Sequence, residues 1–242
     1  KLFELLSQCG WDRLEVTSFV NPKWVPQFAD AEEFCKALPA SPKTPELMAF
    51  VPNAKGMERL TQHPIQWAGA FVSVTEAFNK KNVNCSVDES INALKEVIAI
   101  GKSNKRKVRA YISTVFGCPY QGTVSEKEAL AVIEKVAALE PHEIALSDTI
   151  GVAVPSQVKT IVNLAKKVFA AENLSLHLHN TYGLALANIF QAIECGITQF
   201  DGATGGIGGC PYAKGATGNA STDDIAYALH RQLGIPFMHE AV

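Results

Sequence analysis

Long apolar runs are missing from this chain. Lys, Asp or Gly interrupts each hydrophobic stretch well short of the roughly 20 residues that a membrane-crossing helix needs, so no membrane association is expected. An excess of one charge is missing too. The 22 basic and 24 acidic residues are scattered, with a net charge of -2, which leaves no basic face for nucleic acid or a membrane surface. Cysteine is sparse: Cys9, Cys35, Cys85, Cys118, Cys195 and Cys210 occur without any C-x-x-C spacing. That argues against a disulfide scaffold and for a reducing compartment. There is no low-complexity tract and no Pro/Gly-rich linker, and the basic run 102–107 (KSNKRK) reads as a solvated turn. A single domain over residues 1–242 is the simplest account, because 47% hydrophobic side chains in a chain of this length can fill one large core.

What is present is alternation. β-rich runs at 13–20, 46–51, 68–75, 108–114, 143–148, 174–179 and 199–203 are separated by helical patterns such as 87–102, 125–139, 154–171, 184–196 and 222–233. Strand–helix repetition is the mark of βα units on a parallel sheet. Seven such units, preceded by an amphipathic segment at Lys1 that lacks a capping residue, fit an α/β fold of the (βα)8 TIM-barrel kind. Its first strand is then expected before Lys1. An open doubly wound sheet is the alternative. The one internal echo is Gly-Cys-Pro-Tyr, at residues 117–120 and 209–212, each copy following a strand. In a barrel that end of the strand carries the chemistry.

Two imidazoles, His177 and His179, stand two apart on the strand 174–179. A strand's period of two sends both to one face, where a pair of histidines suits a divalent metal; a solvated His pair is the plainer reading. The segment 205–219 (GGIGGCPYAKGATGN) follows the next strand, and its glycines let backbone approach a ligand closely. Cys210 within it suits acid–base work if its pKa is tuned, or else is a structural thiol. Asn219 at its far end offers a neutral oxygen to a metal, or an ordinary helix cap. Asp148 closes a strand at the same rim, suited to metal support or proton transfer, or to capping the next helix. Glu15, flanked by Leu14 and Val16 in the strand 13–20, is expected to face inward and therefore to need a cationic partner or a protonated state. Arg109 and Tyr111, two apart on another strand, are candidates to meet it or the substrate. The run 19–28 (FVNPKWVPQF) reads as packing.

These residues bring a resemblance into view. The segments Glu15-Val16-Thr17-Ser18-Phe19-Val20, 22–27 (PKWVPQ), 80–86 (KKNVNCS), Tyr111 with Gly117-Cys118-Pro119-Tyr120, Asp148-Thr149-Ile150-Gly151, His177-Leu178-His179 and 206–213 (GIGGCPYA) are together similar to hydroxymethylglutaryl-CoA lyases. Those enzymes are metal-dependent (βα)8 barrels related to isopropylmalate and homocitrate synthases. The His-x-His pair is common to the group, whereas the Gly-Gly-Cys-Pro-Tyr-Ala loop favours the lyases. The resemblance implies cleavage of an acyl-CoA substrate, hydroxymethylglutaryl-CoA, to acetyl-CoA and acetoacetate. It implies Mg²⁺ or Mn²⁺ held by His177, His179, Asn219 and an aspartate of the strand before Lys1, where an arginine for the enolate also belongs. It makes Cys210, Asp148 and His177 catalytic, and Glu15, Ser18, Asn82, Tyr111 and Thr149 substrate-side residues. A homodimer is implied as well, in the cytoplasm of a bacterium or the mitochondrial matrix of a eukaryote. Two positions depart from the pattern: Asn180 replaces an Asp after the second histidine, and Ala145 replaces a polar residue. A condensing synthase or aldolase on the same barrel, or a metal-binding scaffold without catalysis, are the competing expectations.

Overall fold

A computed structural model describes residues 1–38, 45–209 and 218–234. In chain order the elements are α1 (Leu2–Leu6), β1 (Arg13–Ser18), α2 (Ala31–Lys36), β2 (Glu46–Phe50), α3 (Ala54–Thr61), β3 (Trp67–Ser73), α4 (Glu76–Val83) and α5 (Val87–Ser103). They continue as β4 (Lys107–Ser113), α6 (Glu126–Ala137), β5 (Glu143–Asp148), α7 (Pro155–Ala165), β6 (Leu174–Leu178), α8 (Ala185–Glu194), β7 (Gln199–Asp201) and α9 (Thr222–Leu233). The strands form one sheet in the order β1-β2-β3-β4-β5-β6-β7. The pairs β1–β2, β2–β3, β5–β6 and β6–β7 are parallel. Each strand is thus added beside its predecessor and always on the same side. A doubly wound sheet reverses its strand order at a switch point, and none occurs here, so the barrel-type α/β reading holds. Some elements keep their sequence limits, as β5 and α9 do, α5 runs one residue past its limit, and others end short. Helix α7 stops at Ala165 where the pattern ran to 171, and β7 stops at Asp201 where it ran to 203.

The described residues of Lys1–Phe71 and Asn92–Ala110 form one compact unit, and those of Val72–Ile91 and Tyr111–Phe237 a second. In the first, Leu47 and Ala49 of β2 are fully buried, as are Met57 and Leu60 of α3, three apart on one helical face. Helix α5 passes so close to β4 that a Cβ on Gly101 would lie 2.8 Å from Val108 Cγ2. The Glu32 carboxylate joins α2 to α3, 2.7 Å from Arg59 Nε and 2.6 Å from His63 Nε2. Burial works to raise the Glu32 pKa, but the hydrogen bonds and charges of Arg59 and His63 together outweigh it and hold the carboxyl below its usual range.

In the second unit every residue of β5 is buried, the pattern of a strand covered on both faces. Helix α6 opens with a capping box in which Ser125 and Glu128 satisfy each other's backbone N–H groups. It buries Ala129, Val132, Ile133 and Val136, and α7 buries Val158, Ile161, Val162 and Ala165 at the same spacing. That repeat of three and four is the apolar stripe of a helix lying on a sheet. Ile144, Leu146, Leu174 and Leu176 are fully buried strand residues, each contributing about 1.5–3 kcal/mol by leaving water.

Candidate active site

The site lies in the second unit and follows from strand register. Ser147 of β5 is the parallel partner of His177 on β6, and His177 is the partner of Asp201 on β7. Partners across a pair share a face of the sheet, so the first imidazole stands between two polar neighbours. Its Nδ1 lies 3.2 Å from Asp201 Oδ2. The Tyr111 ring meets His177 edge-on, with centroids 5.8 Å apart and planes at 83°.

His179 lies just past β6, its ring centroid 5.4 Å from that of His177. It is 4% exposed, and its Nδ1 has no hydrogen-bond partner among the described residues. Burial, helped by the nearby His177, pulls its pKa down to about 4. The ring is therefore neutral at physiological pH and keeps a lone pair for a ligand. Backbone bridging joins His179 to Asn219, and the Asn180 N–H donates to the Gly218 carbonyl while the Ala220 N–H donates to that of Leu178. The Asn219 Nδ2 donates to the Ile207 carbonyl, leaving the amide oxygen as the end that can accept or ligate.

Asp148 closes β5 beside these histidines and is 1% exposed. Its carboxylate accepts the N–H groups of Val152 (3.0 Å) and Ala153 (2.9 Å), and its carbonyl accepts the His179 N–H. Burial pushes the carboxyl pKa up to about 6, against the opposing pull of those N–H bonds and of His177. The cradle is shaped by Gly151, whose φ of +70° puts a would-be Cβ 2.7 Å from Thr181 N. It is held from below by Asn188 of α8, which donates to the Ala153 carbonyl. Beside it the Thr149 hydroxyl oxygen accepts the Thr114 N–H at 2.8 Å, and the Thr114 hydroxyl meets that of Ser73 at 2.8 Å. Thr114 adopts φ +60°, a conformation β-branched residues rarely take.

The structure thus assembles His177, His179, Asp148, Thr149, Tyr111 and Asn219. Asn82 sits half-buried on α4 in the same unit. Ser18, buried, and Glu15 lie on β1 in the first unit. Glu15, expected from its apolar neighbours to be an inward-facing carboxylate, is exposed. The register of β1 on β2 is regular from Arg13 through Glu15, where Glu15 pairs with Met48, and slips only after it, between Glu15 and Thr17. Arg109 is buried in β4. Cys210 lies outside the described residues. Asn180 accepts the Ala185 N–H with its side chain at the start of α8, and Ala145 is fully buried in β5. Asp201 was missed in sequence, although an acid ending the strand next to the histidine strand was a usable signal. Thr114, Ser73 and Asn188 carried none, since each acts through partners distant in sequence.

Among the described residues no group of three or more His, Cys, Asp or Glu side chains could hold a metal ion. The cluster offers instead two imidazoles and an amide oxygen, a donor set that suits a divalent cation when further oxygen ligands complete it. The unpartnered, buried Nδ1 of the neutral His179 fits that use.

The HMGL-like family model matches residues 1–241. The chain is 42% identical to a hydroxymethylglutaryl-CoA lyase of Bacillus subtilis over 226 residues, covering 93% of this chain and 75% of that protein. The crystal structure of an HMG-CoA lyase from Brucella melitensis superposes with a TM-score of 0.93 at 37% identity, covering 99% of this chain and 85% of that one. An HMG-CoA lyase from Acinetobacter baumannii, solved with coenzyme A and 3-methylmalate, superposes with a TM-score of 0.92 at 35% identity, covering 99% of this chain and 78% of that one.

Proposed function

The chain belongs to the HMGL-like family, and on that footing we propose that it is a carbon–carbon lyase cleaving hydroxymethylglutaryl-CoA to acetyl-CoA and acetoacetate. The observation that carries the chemistry is Asp148, a buried carboxyl with a pKa pushed up to about 6 beside a pair of histidines. A base of that strength is ionised at neutral pH and still holds a proton better than an ordinary carboxylate. Asp148 takes the proton of the substrate's tertiary hydroxyl. The carbon–carbon bond breaks as that oxygen becomes the ketone of acetoacetate, and the electron pair stays on the acetyl-CoA carbon. Cys210 returns a proton to that carbon.

His177, His179 and Asn219 hold the divalent metal, Mg²⁺ or Mn²⁺, in this reading. When bound, such a cation supplies Lewis-acid polarisation of substrate oxygens. Tyr111 walls His177, and Thr149, Asn82, Ser18 and Glu15 serve the substrate side. The coenzyme A complex of the Acinetobacter baumannii lyase supports an acyl-CoA substrate here. The protein works as a homodimer, in the cytoplasm of a bacterium or the mitochondrial matrix of a eukaryote; no helix among the described residues is long and apolar enough to cross a membrane.

The test is acetoacetate release from hydroxymethylglutaryl-CoA with added Mn²⁺. Asp148→Asn should lower kcat about 10²- to 10⁴-fold, the range for losing a general base. A variant as fast as the parent removes Asp148 from the mechanism. Thiol release from acetyl-CoA plus a 2-oxo acid, with no acetoacetate from hydroxymethylglutaryl-CoA, would replace the lyase by a condensing enzyme.

A further inference from the structure

Asp201 has no part in the chemistry above, yet it pairs in register with the first histidine and its carboxylate lies within hydrogen-bond distance of that ring. We infer that Asp201 is a positioning residue: it holds His177 as the Nδ1–H tautomer and so aims Nε2 at the cation of the proposed site. The inference rests on that metal reading for its consequence, though the orienting bond can be judged without it.

A carboxylate is an acceptor only. At the 3.2 Å separation of Nδ1 and Oδ2, the imidazole must therefore be the donor. With the proton on Nδ1, the lone pair is on Nε2, and the ring presents one ligating atom instead of a choice of two. The backbone supplies the alignment. His177 and Asp201 are Cα partners at the C-terminal ends of two adjacent parallel strands, so the two side chains leave the sheet together on one face. The Tyr111 ring edge packs against the imidazole as well and limits its rotation.

The two histidines are then oriented by different means. His179 is fixed by burial, at 4% exposed with Nδ1 unpartnered among the described residues. The His177 side chain is 28% exposed, too open for packing alone to choose its tautomer. A hydrogen-bonded carboxylate does that work in many metal sites, and losing it typically weakens metal binding 10- to 100-fold. Asp201, whose own side chain is 21% exposed, is sheltered enough for the bond to persist in salt.

The experiment uses the full chain with ¹⁵N-labelled histidine, metal-free, at about pH 8. Two-bond ¹⁵N–¹H correlations should report Nδ1–H for His177 in the parent. Asp201→Ala should convert it to the Nε2–H form or to a mixture, and the near-isosteric Asp201→Asn, whose amide can donate or accept, should give a mixture. Calorimetry should find Mn²⁺ binding 10- to 100-fold weaker in Asp201→Ala, with unfolding midpoints confirming that the variants are folded. A parent His177 already in the Nε2–H form, or variants that keep both tautomer and affinity, would overturn the assignment. If the parent shows Nδ1–H, loses it in Asp201→Ala and binds no Mn²⁺, the metal site falls and the orienting bond stands.

Discussion

Asp148 and His179 share one rim, and burial acts on their charges with opposite consequences for stability. The Asp148 pKa is raised from 3.8 to about 6, so its favourable contribution is complete below pH 3.8 and disappears as pH rises through 6. The His179 pKa is lowered from 6.5 to about 4, so its contribution is complete above 6.5 and disappears as pH falls through 4. Between pH 4 and 6 the two oppose each other. In metal-free protein, Asp148→Asn should therefore make stability climb more steeply with pH across that window than in the parent. His179→Gln should make it climb less steeply or fall. Each slope should change by up to about 1.4 kcal/mol per pH unit, measured by urea unfolding at several pH values; parallel slopes in all three proteins would contradict the assignment. At this scale the sequence was readable where a residue acts through its own chemistry. His177, His179 and Asp148 announce themselves by type and spacing. Thr114 does not, because its part depends on a left-handed backbone that nothing in the letters around it demands, and Asn188 acts only through the carbonyl of Ala153, 35 residues away.

The loop after β5 shows how an element turns a residue into a site. Residues 149–153 leave the strand, turn at Gly151 and present two N–H groups back to the carboxylate they follow. The turn leaves no room for a side chain, since a Cβ at position 151 would press on the backbone of Thr181. Gly151→Ala combines that clash with an unfavourable φ of +70°, and should destabilise the protein by about 1–3 kcal/mol while lowering turnover by displacing the Asp148 cradle. Urea midpoints and acetoacetate release measured together test this; an alanine variant unchanged in both would show that the turn tolerates a side chain. Element types were legible because the apolar spacing of α6 and α7 is unmistakable. Element ends were legible only in part, since β5 and α9 end where the pattern does whereas α7 stops at Ala165 instead of 171.

Across the molecule, the alternation of strands and helices announced a parallel α/β fold, but periodicity is silent about strand order. The choice between a barrel and a doubly wound sheet was settled only by seeing β1 to β7 laid down in sequence. The buried core is built of apolar side chains such as Leu47, Ile144, Leu146, Leu174 and Leu176, so metal removal by a chelator should leave the protein folded. Adding Mn²⁺ at about 100 times its Kd should then raise stability by roughly 2.7 kcal/mol, read as a higher Tm. Loss of the whole fold on chelation would make the metal structural instead. The strand order also bears on how the chain is made. Glu15 pairs with Met48, Asp148 with Leu178 and His177 with Asp201, so the pairings span similar and modest lengths of chain. Closing loops of such similar length differs little in entropy, and each of these strands meets its partner close by in sequence. During synthesis the sheet can grow by accretion, each strand finding its docking edge already in place as it leaves the ribosome.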